Sequence, residues 1–177
     1  MTIVEAIATD NLVSRNEARY PAAELPTLAR YLVNKPASIN HPNAFRGSVE
    51  DEWGTIITAE VQTTPPPLDL SAENAAIVAA EGYFQIRVKI SCADDVAHLD
   101  AFRKALRLRV SISAIYSYMR CPGCKCGENI FSRECVNDFW TLPYYERHGV
   151  TDALEISLVS VPAVRSACVV SIDGEPV

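Results

Sequence analysis

The sequence has no excess of basic residues and no long apolar run. It carries 16 Lys and Arg against 22 Asp and Glu, a net charge of -6, which argues against a nucleic-acid binder because such a protein needs a basic patch. No apolar stretch approaches the roughly 18–20 residues of a membrane-spanning helix, so we expect no membrane association. The first six residues lack the basic start and apolar run of a signal peptide. We therefore expect a cytosolic, reducing setting.

The chain of 177 residues suits one domain with a real core, and it leaves little room for a second. Period-two alternation of apolar residues predicts strands and helical spacing predicts helices. We expect strands near 54–61, 83–90, 108–116, 154–161 and 167–172, and helices near 22–33, 71–81 and 94–106. Residues 3–8 are weakly β-like, and 34–41 should be an extended entry into a loop. The predicted fold class is α+β, a mainly antiparallel, barrel-like sheet with a few flanking helices.

Histidine is scarce, and one of the three histidines lies in a segment suited to chemistry. His41 follows Ile39-Asn40 and precedes Pro42 in a polar, turn-rich stretch between a predicted helix and a predicted strand. Loops carried on a rigid scaffold are where catalytic groups concentrate. On local sequence alone, an ordinary surface histidine is the commoner interpretation.

Two serines occupy alternate positions of an otherwise apolar strand. In the segment 110–115, period two places Ser111 and Ser113 on one face and the apolar residues on the other. A strand with a polar, solvated face is the commoner interpretation. The functional one is a nucleophile borne on a strand, and it requires an imidazole close by to accept the hydroxyl proton.

An acidic residue lies on the predicted strand 154–161, in an alternating pattern like that of the two serines. Glu155 shares a strand face with Ser157, while Ile156 and Leu158 point the other way. A carboxylate at this place can orient an imidazole, the third role in a nucleophile–base–orienter arrangement. An ordinary polar strand position is the alternative.

Taken in order, these segments resemble the prohead (capsid-maturation) serine proteases of tailed bacteriophages, which are related in fold to the herpesvirus assemblins. The resemblance covers about residues 25–167. The segments that carry it are Asn-Lys-Pro-Ala-Ser-Ile-Asn-His over 34–41, Trp-Gly-Thr-Ile over 53–56, Val-Ser-Ile-Ser over 110–113, and Glu-Ile-Ser-Leu-Val-Ser-Val-Pro-Ala over 155–163. The last of these is the most specific.

The resemblance implies a role for each candidate residue. His41 would be the general base and Ser111 the nucleophile, with Ser113 as the second candidate at a position where relatives have glycine. The third member is not fixed by the resemblance, and Glu155 is the candidate for it. Pro42 also departs from the acidic residue that more usually follows the histidine.

The resemblance also implies a substrate and a setting. It predicts an endopeptidase that cleaves phage scaffold and capsid proteins by acyl-enzyme chemistry, works as a homo-oligomer, and resides in the host cytoplasm, the procapsid interior or the virion. The alternative is a non-catalytic, protease-like structural or assembly protein of a phage virion, which the serine at position 113 favours. A third interpretation is a free-standing zinc-binding interaction module.

Four of the six cysteines lie within a short segment of a predicted insert over 119–150. The Cys-x-x-Cys pair Cys121 and Cys124, together with Cys135, suits tetrahedral zinc bound through thiolates, with Cys126 or His148 as the fourth ligand. Such a site would be a structural staple, since four protein ligands leave no open position. An iron–sulfur cluster, two disulfides in an extracellular virion, and free thiols are the alternatives. The remaining two, Cys92 and Cys168, are expected to be buried small hydrophobes.

Overall fold

Strands make up most of the described part of the protein, and short helices connect some of them. The structure, a computed structural model, describes residues 1–39, 52–92, 109–122 and 142–177. The strands in these ranges are β1 (Thr2–Asp10), β2 (Ala18–Arg19), β3 (Pro36–Ile39), β4 (Glu52–Thr63), β5 (Phe84–Cys92), β6 (Arg109–Arg120), β7 (Tyr145–Val159), β8 (Cys168–Ile172) and β9 (Glu175–Pro176). The helices are a 3-10 turn (Ala22–Glu24), α1 (Leu25–Leu32) and α2 (Ala72–Glu81).

Seven of these strands close into a barrel. Their order is β1-β5-β4-β3-β7-β6-β8, and β8 pairs back onto β1. The pairs β3–β7 and β2–β7 are parallel and the others are antiparallel. The predicted barrel-like, mainly antiparallel sheet is thus confirmed in outline. The barrel is mixed, and the part of the chain that the structure describes is mostly β, with two short α-helices.

Both described α-helices form where the sequence predicted helices. In α1 the buried side chains recur at helical intervals, namely Leu25, Leu28, Ala29 and Leu32, and this apolar stripe packs on β4 and β7. The second α-helix, α2, is capped at its N-terminus by Ser71, whose hydroxyl accepts a hydrogen bond from the Asn74 backbone N–H. The helix predicted over 94–106 lies outside the described residues.

The core consists mainly of aliphatic side chains, contributed by all seven barrel strands and by α1. Ile56, Ile90, Val110 and Ile156 are each 0% exposed. Burial of such a side chain stabilises the fold by about 1.5–3 kcal/mol. On β6, Ile112 and Ala114 also pack against this core. The alternate residues of β6, Ser111 and Ser113 among them, therefore face away from the core, as the period-two pattern predicted.

Several strands are longer than predicted, because pairing with distant segments extends them. The β6–β7 ladder continues to the pair Arg120–Glu146, so the insert predicted over 119–150 is confined to the residues between Arg120 and Tyr145. His148 consequently lies on a strand and not in the insert. The short β2 and β9 were not predicted. Within the described ranges, no helix combines the length and the apolar character needed to cross a membrane.

Candidate active site

Three serines lie side by side on neighbouring strands. The parallel register of β3 and β7 pairs Ser38 with Ser157, and the antiparallel register of β6 and β7 pairs Ser111 with the same Ser157. Adjacent strands are about 4.8 Å apart. Residues that are far apart in the sequence thus form one short row of hydroxyl groups across the sheet.

This row lies on the sheet face opposite the core, yet it is buried. Ile156 and Leu158, which flank Ser157, pack in the core, so Ser157 and Glu155 project to the other side. The exposed fraction is 0% for Ser157, 1% for Glu155 and 7% for Ser111. Buried polar groups must be hydrogen-bonded to be tolerated, so the partners of these side chains matter.

The Glu155 carboxylate is the acceptor at the centre of the cluster. Ser38 Oγ donates to Glu155 Oε2 at 3.3 Å, and the Ser157 hydroxyl donates to the same oxygen. The two hydroxyl oxygens of Ser38 and Ser157 are themselves 3.3 Å apart. Two hydroxyl donors on one carboxylate oxygen stabilise its negative charge and fix the side-chain conformation.

The two candidate nucleophiles flank this carboxylate on the neighbouring strand. Ser113 is paired with Glu155 and Ser111 with Ser157 in the β6–β7 register. The structure therefore brings together Ser111, Ser113 and Glu155, which the sequence pattern had singled out separately. Ser113 is the more exposed of the two serines, since Ser111 is buried.

The strand that precedes His41 is held firmly against this cluster. His41 itself lies outside the described residues, but β3 ends at Ile39, which is paired with Leu158 of β7. The Trp53 indole Nε1 donates to the Ser38 carbonyl oxygen at 2.9 Å. The end of β3 is thus fixed by a sheet ladder on one side and by a buried indole on the other.

The predicted metal ligands are only partly within the described ranges. Cys121 is buried, and its Sγ lies 3.6 Å from the Pro122 carbonyl oxygen; Cys124, Cys126 and Cys135 lie outside the described residues. His148 stacks on the Tyr118 ring at 5.5 Å, and its Nε2 lies 3.2 Å from Glu146 Oε2. Among the residues described, no three His, Cys, Asp or Glu side chains converge as a metal site would need.

Of the other two cysteines, Cys92 is buried as predicted, whereas Cys168 is only partly buried. Cys92 is 2% exposed, and burial, reinforced by the negative charge of Asp173, raises the pKa of its thiol to about 11. Burial likewise raises the pKa of the half-buried Cys168. Thiols with raised pKa values form little thiolate at neutral pH and are therefore poor nucleophiles.

Two members of the carboxylate cluster were not predicted as site residues. Ser157 shares a strand face with Glu155, so the alternation contained a signal for it. Ser38 had no such signal, since only the parallel pairing of β3 with β7 brings it to Glu155.

A second polar cluster, around Asp10 at the end of β1, was not predicted at all. Asp10 is 4% exposed, and it accepts hydrogen bonds from the Leu12 N–H at 2.9 Å, Ser166 Oγ at 2.5 Å and Tyr83 Oη at 3.2 Å. Burial raises the pKa of this carboxyl in spite of these donors. Asp10 and Ser166 line a cavity of about 400 Å³.

No family model, curated protein or solved structure matches this chain. The geometry of the site and the resemblance of the sequence motifs are therefore the grounds for a functional assignment.

Proposed function

We propose that this protein is a serine endopeptidase of the phage prohead protease type, which cleaves segments of scaffold and capsid proteins during capsid maturation. The observation that carries the proposal is the buried Glu155 carboxylate on β7. It accepts hydrogen bonds from Ser38 and Ser157, and it lies beside the strand that bears Ser111 and Ser113. A buried carboxylate next to a strand with serine hydroxyls supplies two of the three parts of a serine-protease site.

The third part, the base, is assigned to His41. His41 follows Ile39, the last residue of β3, by two positions in the sequence. Ile39 is paired with Leu158, which is paired in turn with Val110. This closeness in sequence to the strands that carry the serines and Glu155 supports the assignment of His41 as the base.

The proposed reaction has two stages. Ser111 Oγ bonds to the scissile carbonyl carbon while its proton passes to the His41 imidazole, and backbone N–H groups stabilise the oxyanion. The imidazolium then protonates the leaving amine as the C–N bond breaks. In the second stage His41 takes a proton from water, whose oxygen bonds to the carbonyl carbon of the acyl-enzyme ester. The ester C–O bond then breaks as the imidazolium returns the proton to Ser111 Oγ. Glu155 orients the imidazole and stabilises its charged form. The enzyme would act as a homo-oligomer in the procapsid interior, the host cytoplasm or the virion.

A zinc staple accompanies this proposal. Cys121, Cys124 and Cys135 would supply three thiolates, with an iron–sulfur cluster as the alternative metal centre. His148 and Cys126 were equal candidates for the fourth ligand. The His148 nitrogens already face Glu146 at 3.2 Å and Glu24 at 3.5 Å, which favours Cys126.

One observation favours a second candidate function, a non-catalytic protein of capsid assembly with a protease-like fold. Ser111 is only 7% exposed, and a nucleophile must meet its substrate. Ser113, which is more exposed and is paired with Glu155, occupies the place where the resembled proteases have glycine. If substrate cannot reach Ser111, either Ser113 is the nucleophile or the site no longer cleaves.

A fluorophosphonate probe, which reacts covalently with activated serines, distinguishes these possibilities. We expect labelling of the wild-type protein on Ser111, located by peptide mass spectrometry, and its loss in Ser111→Ala and in His41→Ala. Ser117→Ala is the matched control, because Ser117 is an exposed serine of the same strand whose hydroxyl donates to the Gly149 carbonyl oxygen.

The other outcomes are equally clear. Labelling on Ser113 that persists in Ser111→Ala would move the nucleophile to position 113. Absence of labelling, together with an intact scaffold or capsid protein after co-expression, would overturn the endopeptidase and leave the assembly protein.

A further inference from the structure

A cavity of about 400 Å³ lies where the loop after β1, the N-terminal end of α2 and the loop between β7 and β8 meet. Its volume falls within the range of about 300–1,000 Å³ that is usual for small-molecule sites. Among the described residues that line it, none belongs to the serine–carboxylate cluster of Ser38, Ser111, Ser113, Glu155 and Ser157. The cavity is therefore a site of its own, which the proposed proteolysis does not use.

Hydrogen bonds between the surrounding segments fix the shape of this cavity. They join β1 to the loop between β7 and β8, and they join the loop after β1 both to α2 and to that same β7–β8 loop. The bonds are Ser166 Oγ to Asp10 Oδ2 at 2.5 Å, the Val13 N–H to Asn74 Oδ1 at 2.8 Å, and the Arg15 N–H to the Ala163 carbonyl oxygen at 2.8 Å. A cavity with fixed walls is pre-formed for a ligand, as small-molecule sites usually are.

Apolar side chains supply much of the lining. Leu12 is buried, and Leu70, Tyr144 and Val164 are partly buried. A ligand with an apolar side chain that covers this surface is favoured, because both partners then lose contact with water. The Asp10 carboxylate at the same cavity already accepts three hydrogen bonds, so it does not set the charge of the ligand.

Exposed charges of both signs lie at the rim of the cavity. Asp69 precedes α2, and Glu73 is in the first turn of that helix. Arg15 lies in the loop after β1, and Arg165 lies in the loop between β7 and β8. All four residues are exposed, whereas Leu12 at the floor is buried. The acids thus come from one segment of the chain and the arginines from the two loops beside it.

These charges do not neutralise one another. None of the four forms an ion pair with any residue that the structure describes. The Arg15 guanidinium donates to the Pro162 carbonyl oxygen at 2.9 Å. Glu73 accepts hydrogen bonds from its own backbone N–H and from Ser71, and these lower its pKa. Such bonds to neutral groups leave the charge of each side chain in place.

The balance of two cations and two anions determines the kind of ligand that fits. A ligand with a single charge would meet like and unlike charges in equal number, so it would gain little from them. A ligand with a positive end and a negative end can place each end beside its opposite. A short peptide has these features, since an ammonium group and a carboxylate flank its side chains.

We propose that this cavity binds a short zwitterionic peptide with apolar side chains, of two or three residues. Arg15 and Arg165 bind its carboxylate, Asp69 and Glu73 bind its ammonium group, and its side chains cover the apolar lining. Capture of peptide termini by such groups is a recurring mode of recognition. This binding goes beyond the proposed proteolysis and does not depend on it.

Isothermal titration calorimetry of the full chain with the dipeptide leucyl-leucine tests the proposal. We expect a dissociation constant of about 0.1–1 mM, which is ordinary for a ligand of about 17 non-hydrogen atoms. N-acetyl-leucyl-leucine lacks the ammonium group and leucyl-leucine amide lacks the carboxylate, so each should bind about tenfold more weakly. The Ser111→Ala variant should bind leucyl-leucine as the wild type does, which separates this site from the proposed catalysis.

Two exposed variants assign each end of the peptide. Arg165→Gln should weaken leucyl-leucine and its N-acetyl form about threefold to tenfold and leave the amide unchanged. Asp69→Asn should weaken leucyl-leucine and the amide and leave the N-acetyl form unchanged. Arg30→Gln is the control and should bind all three as the wild type does, since Arg30 is an exposed arginine of α1 that does not line the cavity.

Three results would overturn the proposal. The first is no heat of binding with leucyl-leucine at about 10 mM, which is roughly ten times the weakest constant expected. The second is equal affinity for the three peptides, which would show that the charges at the rim are not used. The third is an equal effect of Arg165→Gln and Asp69→Asn on the N-acetyl form and the amide, which would place the peptide elsewhere.

Discussion

Ser38 on β3 and Ser157 on β7 have their hydroxyl oxygens 3.3 Å apart, although 119 residues separate them in the sequence. Both hydroxyls donate to the Glu155 carboxylate. The carboxylate therefore connects two strands that run parallel to each other, and it is central to both the stability and the proposed chemistry of this face of the barrel.

Removal of this carboxylate should destabilise the fold. Glu155→Ala leaves two buried hydroxyls without their acceptor and creates a small cavity, so we expect it to lower the free energy of unfolding by about 2–4 kcal/mol. Glu5→Ala is the control, because Glu5 meets Lys89 in a surface ion pair at 3.2 Å and should cost about 0–1 kcal/mol. Urea denaturation measures both. If both variants lower the free energy of unfolding by the same amount, the buried hydrogen bonds of Glu155 contribute no more to stability than a surface ion pair.

Loss of one partner from the buried ion-pair cluster should have a larger effect. Arg19 joins Glu81 of α2 to Glu146 of β7. Arg19→Met would leave two partly buried carboxylates without their cation and should cost about 3–5 kcal/mol. The control is Lys35→Met, which removes a more exposed pair with Asp152 at 2.8 Å and should cost about 0–1 kcal/mol. The prediction is wrong if urea denaturation gives the same midpoint and slope for Arg19→Met as for the wild type.

Gly54 is needed for close packing between β4 and β5. A β-carbon at this position would lie 2.8 Å from Ile90 Cγ2 and 2.8 Å from the Ser91 carbonyl oxygen. Gly54→Ala therefore forces a backbone shift, and we expect a loss of about 1–3 kcal/mol. Thr55→Ala, at the next and exposed residue of the same strand, should change stability by no more than about 0.5 kcal/mol. Urea denaturation of both variants measures these changes. An unchanged free energy of unfolding for Gly54→Ala would show that the close packing of β4 on β5 does not require glycine at this position.

The buried Asp10 should make stability depend on pH. Burial raises the pKa of its carboxyl in the folded state above the unfolded value of about 3.9. Between these two values the folded state retains a proton that the unfolded state has released, so stability falls as pH rises. The stabilisation that Asp10 contributes is fully present below the pKa of its carboxyl in the unfolded state. It is lost as the pH rises through the pKa of the same carboxyl in the folded state.

The Asp10→Asn variant isolates this effect. The free energy of unfolding of the wild type minus that of Asp10→Asn should decline as the pH rises above about 4. The decline begins there because the carboxyl of the unfolded state releases its proton near its pKa of about 3.9. Asp69→Asn, at an exposed position, controls for the exchange of an aspartate for an asparagine. A pH-independent difference for Asp10→Asn would refute the raised pKa.

Metal analysis tests the predicted cysteine site. We expect about one zinc ion per purified chain, because four thiolates form one tetrahedral site. Cys121→Ser should release the metal and lower Tm, since metal binding is coupled to folding in such segments, whereas Cys168→Ser should retain it. Iron with visible absorbance would identify the alternative cluster. Wild-type protein that carries neither metal, and in which only the two thiols of Cys92 and Cys168 titrate after unfolding, would indicate two disulfides.

The periodicity of the chain was enough to predict much of the barrel wall. Leu25, Leu28 and Leu32 at helical intervals predicted α1, and the alternation over 110–115 predicted that Ser111 and Ser113 share the face away from the core. Both predictions succeed because the direction of a side chain follows from the local geometry of a single helix or strand. The roles of His41, Cys124, Cys126 and Cys135 remain predictions.

The tertiary structure alone decided which strands meet. No local pattern shows that β3 runs parallel to β7, yet this pairing brings Ser38 to Glu155. Nor does the sequence show that Arg19 meets two glutamates while Arg147 meets three tyrosine rings. Strand register and ion pairing depend on hydrogen bonds and contacts between segments that are far apart in the chain. The sequence by itself therefore determined which residues share a face, and the folded barrel determined which of those faces adjoin and which buried charges are compensated.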